Sequence, residues 1–285
     1  MAETLLIPFT YGYMAQAIWV SALVGAVCAF LSAYLMLKGW SLIGDALAHA
    51  IVPGVAGAAI LRLPFALGAF LAGGLAALSM LFLNSRTGLR EDAIIGLIFT
   101  SFFGLGQFMV SLDPVSVDLQ AITMGNNLAI SPADTWQLTL IGGVSMAVLL
   151  AKWRDPMAVF FAETHARTVG LQPIRLRVRF FTLLAASTVA AMQTVGAFLV
   201  IAMVATPGAT AYLLTDRFPR LLVLSVAIGA LTSASRAYVS FFLEGATGGV
   251  IVVLQTLIFL GVFTFAPTHG ALAARARARA ALEPR

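Results

Sequence analysis

Long apolar segments separated by short polar turns make up most of the chain. Hydropathy places them at roughly 13–37, 41–61, 64–83, 93–112, 134–151, 180–203, 221–243 and 248–266. A helix needs about 20 apolar residues to cross a hydrocarbon layer of about 30 Å, and the apolar runs are continuous rather than alternating. The pattern predicts an all-α integral membrane protein, a polytopic bundle with eight long transmembrane helices.

A shorter apolar stretch at 206–215 precedes the charged sequence DRFPR. It is too short for an ordinary span, and we expect either a short ninth crossing or a re-entrant segment. Lys and Arg accumulate in cytoplasmic loops, and all basic clusters lie inside only if this segment crosses and the N-terminus is outside. The loop 112–134 contains three aspartates and neither Lys nor Arg, which places it outside. The predicted C-terminus is cytoplasmic.

Composition supports the same class of protein. Of 285 residues, 60% are hydrophobic and 10% are charged, whereas soluble domains carry about 25% charged residues. The net charge of +5 comes from basic residues between apolar segments, so these residues are orientation signals beside membrane lipid rather than a nucleic-acid surface. No linker interrupts the segments, and we expect one membrane domain over 1–285, with 270–285 as a basic cytoplasmic tail.

Two polar residues interrupt the second apolar segment. Asp45 and His49 are four positions apart and therefore lie on one face of a helix. A charged aspartate near the middle of a span costs about 2.5–3.5 kcal/mol, and such residues usually face an interior or a pathway. The two side chains could simply hydrogen-bond each other or a neighbouring helix. The alternative is a functional site.

A carboxylate and an imidazole suit first-row divalent metals such as manganese, iron or zinc. Two ligands from one helix do not complete a coordination shell. A second copy of the helix, from a partner subunit, could supply two more. We therefore predict that Asp45 and His49 bind a transported divalent metal at a subunit interface, and we expect no permanently bound cofactor.

Four separated blocks carry a family resemblance: LKGWSLIGDALAHAIVPG, EDAIIGLIFTSFFGLG, FFAETHARTVGL and QTVGAFLVIAMVATPGATAYLLTDRFPRLL. Together they resemble the membrane permease subunits of manganese, iron and zinc uptake ABC transporters, most closely the manganese/iron branch. The resemblance implies a fold like that of type II ABC importers, in a bacterial inner membrane. It also implies that Asp45 and His49 bind the ion in the pathway.

The resemblance further implies three kinds of partner: two copies of a cytoplasmic ATP-binding subunit, a second permease that is identical or related, and an extracytoplasmic metal-binding protein. The stretch 162–170 resembles the coupling helix that docks on the ATPase, with Ala162, Glu163, Ala166 and Gly170 at the matching positions. Family members often show DPE where this chain has AET.

Other functions fit the sequence less well. The chain contains no G-x-x-x-x-G-K-[ST] motif, so it is not an ATPase of that type, and a separate subunit must hydrolyse ATP. A proton-coupled secondary transporter that uses Asp45 and His49 as a relay is the main alternative. A membrane metalloprotease lacks support, because H-E-x-x-H is absent. The ligand types leave open the choice between manganese, ferrous iron and zinc.

Overall fold

The computed structural model describes residues 10–40, 42–112, 132–195, 197–243, 247–267 and 269–273. Over these ranges the chain forms helices and no strand. The predicted acidic loop (except its ends) and residues 274–285 of the predicted basic tail lie outside the described residues. The helices are α1 (Gly12–Lys38), α2 (Ile43–Ala50), α3 (Val52–Leu61), α4 (Phe65–Arg86), α5 (Glu91–Leu112), α6 (Pro132–Ala151), α7 (Arg154–Phe161), α8 (Glu163–Thr168), α9 (Pro173–Val195), α10 (Ala197–Leu214), α11 (Phe218–Leu243) and α12 (Thr247–Phe265).

Several of these helices are long and apolar enough to cross a membrane. In the described parts of the chain, five meet that criterion: α1, α2 with α3, α4, α5 and the first part of α11. A sixth is obtained if α6 and α7, which are bent by 67° at their junction, are one span. The described parts of α10 and α12 are shorter apolar helices. The predicted all-helical membrane protein is confirmed, and the exact number of crossings stays a prediction.

One predicted boundary is wrong. Hydropathy placed a span at 180–203 and a separate short segment at 206–215, whereas the structure ends α9 at Val195 and continues α10 from Ala197 to Leu214, through Pro207. Proline removes a backbone N–H and usually interrupts a helix. Here Ser32 of α1 stabilises the helix, because its Oγ accepts a hydrogen bond from the Gly208 N–H at 3.0 Å and donates one to the Ala205 carbonyl at 3.3 Å.

Helix α1 forms the centre of the bundle and packs most extensively against α11 and α10. Small residues allow the close approach of α1 and α11: a Cβ added at Gly25 would lie 2.6 Å from the carbonyl oxygen of Gly229. Farther along the same pair, the buried Arg236 guanidinium donates to the Ser21 hydroxyl at 2.9 Å. These contacts hold the two helices together along much of their length.

The end of α1 determines where α2 begins. Gly39 has a positive φ of 77°, which glycine adopts without strain. Its N–H donates to the Met36 carbonyl, and the Trp40 N–H donates to the Leu35 carbonyl at 2.8 Å. This pair of bonds is a Schellman motif, which satisfies carbonyls at the helix end. Trp40 is therefore fixed at the turn between α1 and α2.

Helices α2 and α3 follow one another with a break at Ile51. Pro53 lies in the first turn of α3, where the missing N–H has no helical partner to lose. Helix α3 then packs against α4 at a glycine pair, Gly54 and Gly68, whose backbones are in contact. This crossing fixes the segment that carries the candidate site.

Candidate metal site and coupling segment

Asp45 and His49 lie side by side on α2. The Nδ1 atom of His49 is 3.1 Å from Oδ1 of Asp45 and 3.1 Å from the Asp45 carbonyl oxygen. The side chains of His49 and Asp45 are 23% and 38% exposed in the single chain. The spacing of four residues therefore brings together a carboxylate and an imidazole at the edge of the chain rather than inside its core.

Two phenylalanines of α5 surround the imidazole of His49. The ring centroids of Phe99 and Phe103 are 5.2 and 5.5 Å from that of His49, and both rings stand nearly perpendicular to the imidazole. The two phenyl rings are themselves stacked, with an angle of 5° between their planes. Edge-to-face contacts of this kind are favourable and directional. They hold the imidazole in one orientation.

Small residues bring neighbouring helices close to α2. A Cβ added at Gly44 would lie 2.8 Å from Cγ1 of Val204, so α10 lies directly against the helix that carries the site. On α5, a Cβ added at Gly106 would lie 2.9 Å from the backbone nitrogen of Pro53. Helix α10 thus packs against the helix that carries Asp45 and His49, and α5 packs closely against the start of α3, which follows that helix.

The pair does not form a complete metal site by itself. Among the described residues, no cluster of three or more His, Cys, Asp or Glu side chains is close enough to hold a metal ion. Two ligands leave at least half of a four- to six-coordinate shell to other donors. Because the pair is partly exposed, a second subunit or water can supply the remaining metal ligands from the open side.

The predicted coupling residues lie on and around α8. Ala162 immediately precedes this helix, Glu163 opens it, and Gly170 follows it with a φ of 82°. Ala166 is 0% exposed, so its side chain contacts the interior of this chain. A partner that docks here would reach the exposed residues around it. His165 is exposed.

A pair of arginines binds the carboxylate of Glu163. Arg167 donates a hydrogen bond to Oε1 at 2.8 Å, and Arg177 of α9 donates to Oε2. The hydrogen bond from Arg167, with the charges of both arginines, holds the pKa of Glu163 below its ordinary value even though partial burial opposes the shift. Glu163 therefore fastens α8 to the start of α9.

Sequence reasoning missed Phe99 and Phe103 as neighbours of His49, although their spacing of four residues places them on one face of α5. It also did not predict the side-chain partners of Glu91, the first residue of α5. In the structure, the Glu91 carboxylate accepts a hydrogen bond from the Trp40 indole and one from the Asn84 amide at 3.3 Å.

The fold and sequence define a membrane permease of the ABC importer class. The structure of PsaBC from Streptococcus pneumoniae in complex with Fab superposes with a TM-score of 0.83 at 30% identity, covering 96% of this chain and 100% of that one. The sequence pattern of the ABC 3 transport family matches residues 10–266. The chain belongs to this family.

Characterised relatives agree over nearly the full length. The chain is 64% identical over 279 residues to the chelated iron transport system membrane protein YfeC of Yersinia pestis, which covers 98% of this chain and 95% of the relative. It is 44% identical over 280 residues to the manganese transport system membrane protein MntB of Synechocystis, with 97% and 90% covered. The family resemblance seen in the four sequence blocks is confirmed.

Proposed function

We propose that this chain is the permease subunit of an ATP-driven importer that moves manganese, and also ferrous iron, into the cytoplasm. The names of its relatives support both metals: YfeC belongs to a chelated iron transport system and MntB to a manganese transport system. Zinc is chemically compatible with the same ligands. The ion is cargo, which the chain binds transiently.

The observation that carries this proposal is the Asp45 and His49 pair. A hard carboxylate oxygen and a borderline imidazole nitrogen, within 3.1 Å of each other, form a chelating pair for a first-row divalent ion. The pair lies in a helix long enough to cross the membrane, where ionisable groups are costly to bury and therefore usually mark a functional site. A second permease subunit, related rather than identical, would complete the coordination shell.

The energy for transport comes from other subunits in this proposal. Two copies of a cytoplasmic ATPase would bind the pair of permeases, one of them at the segment 162–170 of this chain, and an extracytoplasmic protein would deliver the metal. The N-terminus lies outside and the C-terminus inside the bacterial inner membrane. The chain itself contains no phosphate-binding loop.

The decisive experiment measures uptake of radioactive Mn²⁺ by proteoliposomes that contain the whole complex. We expect Asp45→Ala and His49→Ala to abolish uptake while membrane insertion and ATPase association are retained. His269→Ala is the matched control, because His269 also pairs with an aspartate, Asp216 at 2.7 Å, but outside α2. We expect this control to transport normally. Normal uptake by either Asp45→Ala or His49→Ala would contradict the site.

The same proteoliposomes distinguish the importer from a proton-coupled transporter. Uptake should require ATP and the ATPase subunit, and a pH gradient alone should drive none. Uptake that follows the pH gradient without ATP would favour the secondary transporter and contradict this proposal. Competition by Fe²⁺ and Zn²⁺ against Mn²⁺ then ranks the cargo metals.

A further inference from the structure

Trp40 occupies the junction between the coupling segment (162–170) and the metal-binding helix. It follows Gly39 at the end of α1 and is 3% exposed. Its carbonyl accepts a hydrogen bond from the Ile43 N–H at 3.2 Å, where α2 begins. A displacement of Trp40 therefore acts directly on the first turn of the helix that carries Asp45.

One side of the indole faces the coupling segment through aromatic contacts. The ring of Phe160, in the last turn of α7, stands edge-on to Trp40 with centroids 5.6 Å apart. Phe181 of α9 stacks on Trp40, also at 5.6 Å. Phe160 comes two residues before Ala162, and α9 is the helix to which Glu163 is fastened through an arginine. The two helices that flank the coupling segment, α7 and α9, thus each contact Trp40 through one aromatic residue.

The other edge of the indole faces α5. The Trp40 Nε1–H donates to Oε2 of Glu91, the first residue of α5. Farther along α5 are Phe99 and Phe103, which contact the imidazole of His49. Trp40 is therefore connected to both helices that define the candidate metal site.

We propose that Trp40 is a positioning residue that transmits movement of the coupling segment to α2 and α5. This inference rests on the proposed function and adds to it the internal path between the ATPase contact and the metal pair. The packed aromatic rings form a contiguous physical route, and such a route carries coupling only if changes along it alter the response of the distant site.

The experiment measures the ratio of Mn²⁺ transported to ATP hydrolysed by the reconstituted complex, together with the equilibrium affinity for Mn²⁺. We expect Trp40→Leu and Phe160→Leu to lower this ratio by about two- to thirty-fold, the range found for residues that carry coupling. The Mn²⁺ affinity should be unchanged, because Asp45 and His49 remain. A purely structural defect would lower transport and hydrolysis in parallel and leave the ratio unaltered.

The Trp40 and Phe160 substitutions should also be non-additive. If the two rings act as one link, the double variant should have the same ratio as the more impaired single variant. Glu91→Gln preserves an oxygen that accepts the indole N–H and should retain the normal ratio, whereas Glu91→Leu should lower it. Trp40→Phe keeps a ring in the cluster and should be impaired less than Trp40→Leu.

Phe218→Leu is the matched control. Phe218 contacts Tyr34 in the same aromatic region, with centroids 4.9 Å apart, but is not among the rings that contact Trp40. The ratio of Mn²⁺ transported to ATP hydrolysed should be the same in Phe218→Leu as in the parent. A normal ratio in both Trp40→Leu and Phe160→Leu, or an equal loss in Phe218→Leu, would overturn the inference. If Asp45→Ala transports normally, the proposed function itself fails, so the two failures are distinguishable.

Discussion

The glycine pair between α3 and α4 provides a sensitive test of the packing around the candidate metal-binding segment. A Cβ at position 54 would lie 2.5 Å from the Cβ of Ala72 and would collide with the carbonyl of Gly68. Ordinary contact begins at 3.4 Å, so Gly54→Ala forces the helices about 1 Å apart in an interior with few voids. The obstacle is backbone, which cannot rotate away as a flexible side chain can.

Overpacking of this kind costs about 1–3 kcal/mol. Each kcal/mol of lost unfolding free energy lowers the unfolding midpoint by about 2–4 °C. Gly54→Ala should therefore lower the thermal midpoint of the solubilised complex by several degrees. It should also reduce metal uptake, because α3 continues directly from the helix that holds His49. The measurement is a thermal unfolding curve, followed by uptake in proteoliposomes.

Gly57 supplies the control in the same helix. A Cβ there would meet only Cε of Met109 at 3.6 Å, which is an ordinary contact. Alanine is about 1 kcal/mol more favourable than glycine inside a helix, so Gly57→Ala should be as stable as the parent or more stable. If Gly54→Ala were as stable and active as Gly57→Ala, α3 and α4 could not be packed through direct backbone contact.

Two further predictions concern the rings at His49 and the carboxylate of the coupling segment. Phe99→Ala removes an aromatic contact worth about 0.5–1.5 kcal/mol, so the equilibrium affinity for Mn²⁺ should fall by about two- to twelve-fold; an unchanged affinity would show that this ring does not orient His49. Because the pKa of Glu163 is lowered, its stabilising contribution is present above the ordinary glutamate pKa and is lost as pH falls through the lowered value. The difference in thermal midpoint between the parent and Glu163→Gln should therefore be constant near neutral pH and shrink on acidification, and a difference that grows on acidification would refute this assignment.

Local hydropathy patterns were sufficient to predict the long helices of the fold from the sequence. Continuous apolar runs predicted the long helices, because each must span the hydrocarbon layer without help from other segments. The boundary near Pro207 could not be predicted, because Ser32, which forms hydrogen bonds with the backbone on both sides of Pro207, belongs to a helix far away in sequence. Hydropathy contains no information about such a partner.

The same distinction applies to the candidate site. Asp45 and His49 are one helical turn apart, so their proximity follows from helix geometry alone. Phe99 and Phe103 reach His49 only because α5 packs against α2, a tertiary contact between segments about 50 residues apart. At the coupling segment, the sequence match identified Ala166 but did not show that its side chain is buried.

The crossing of α1 and α11 has a mechanical consequence. Their backbones meet at Gly25 and Gly229, and the guanidinium of Arg236 is buried against Ser21. If one helix slid along the other, the Arg236 guanidinium would lose its hydrogen bond to Ser21 at a buried position where no water could replace it. Any conformational change of the permease should therefore move α1 and α11 together as one rigid unit.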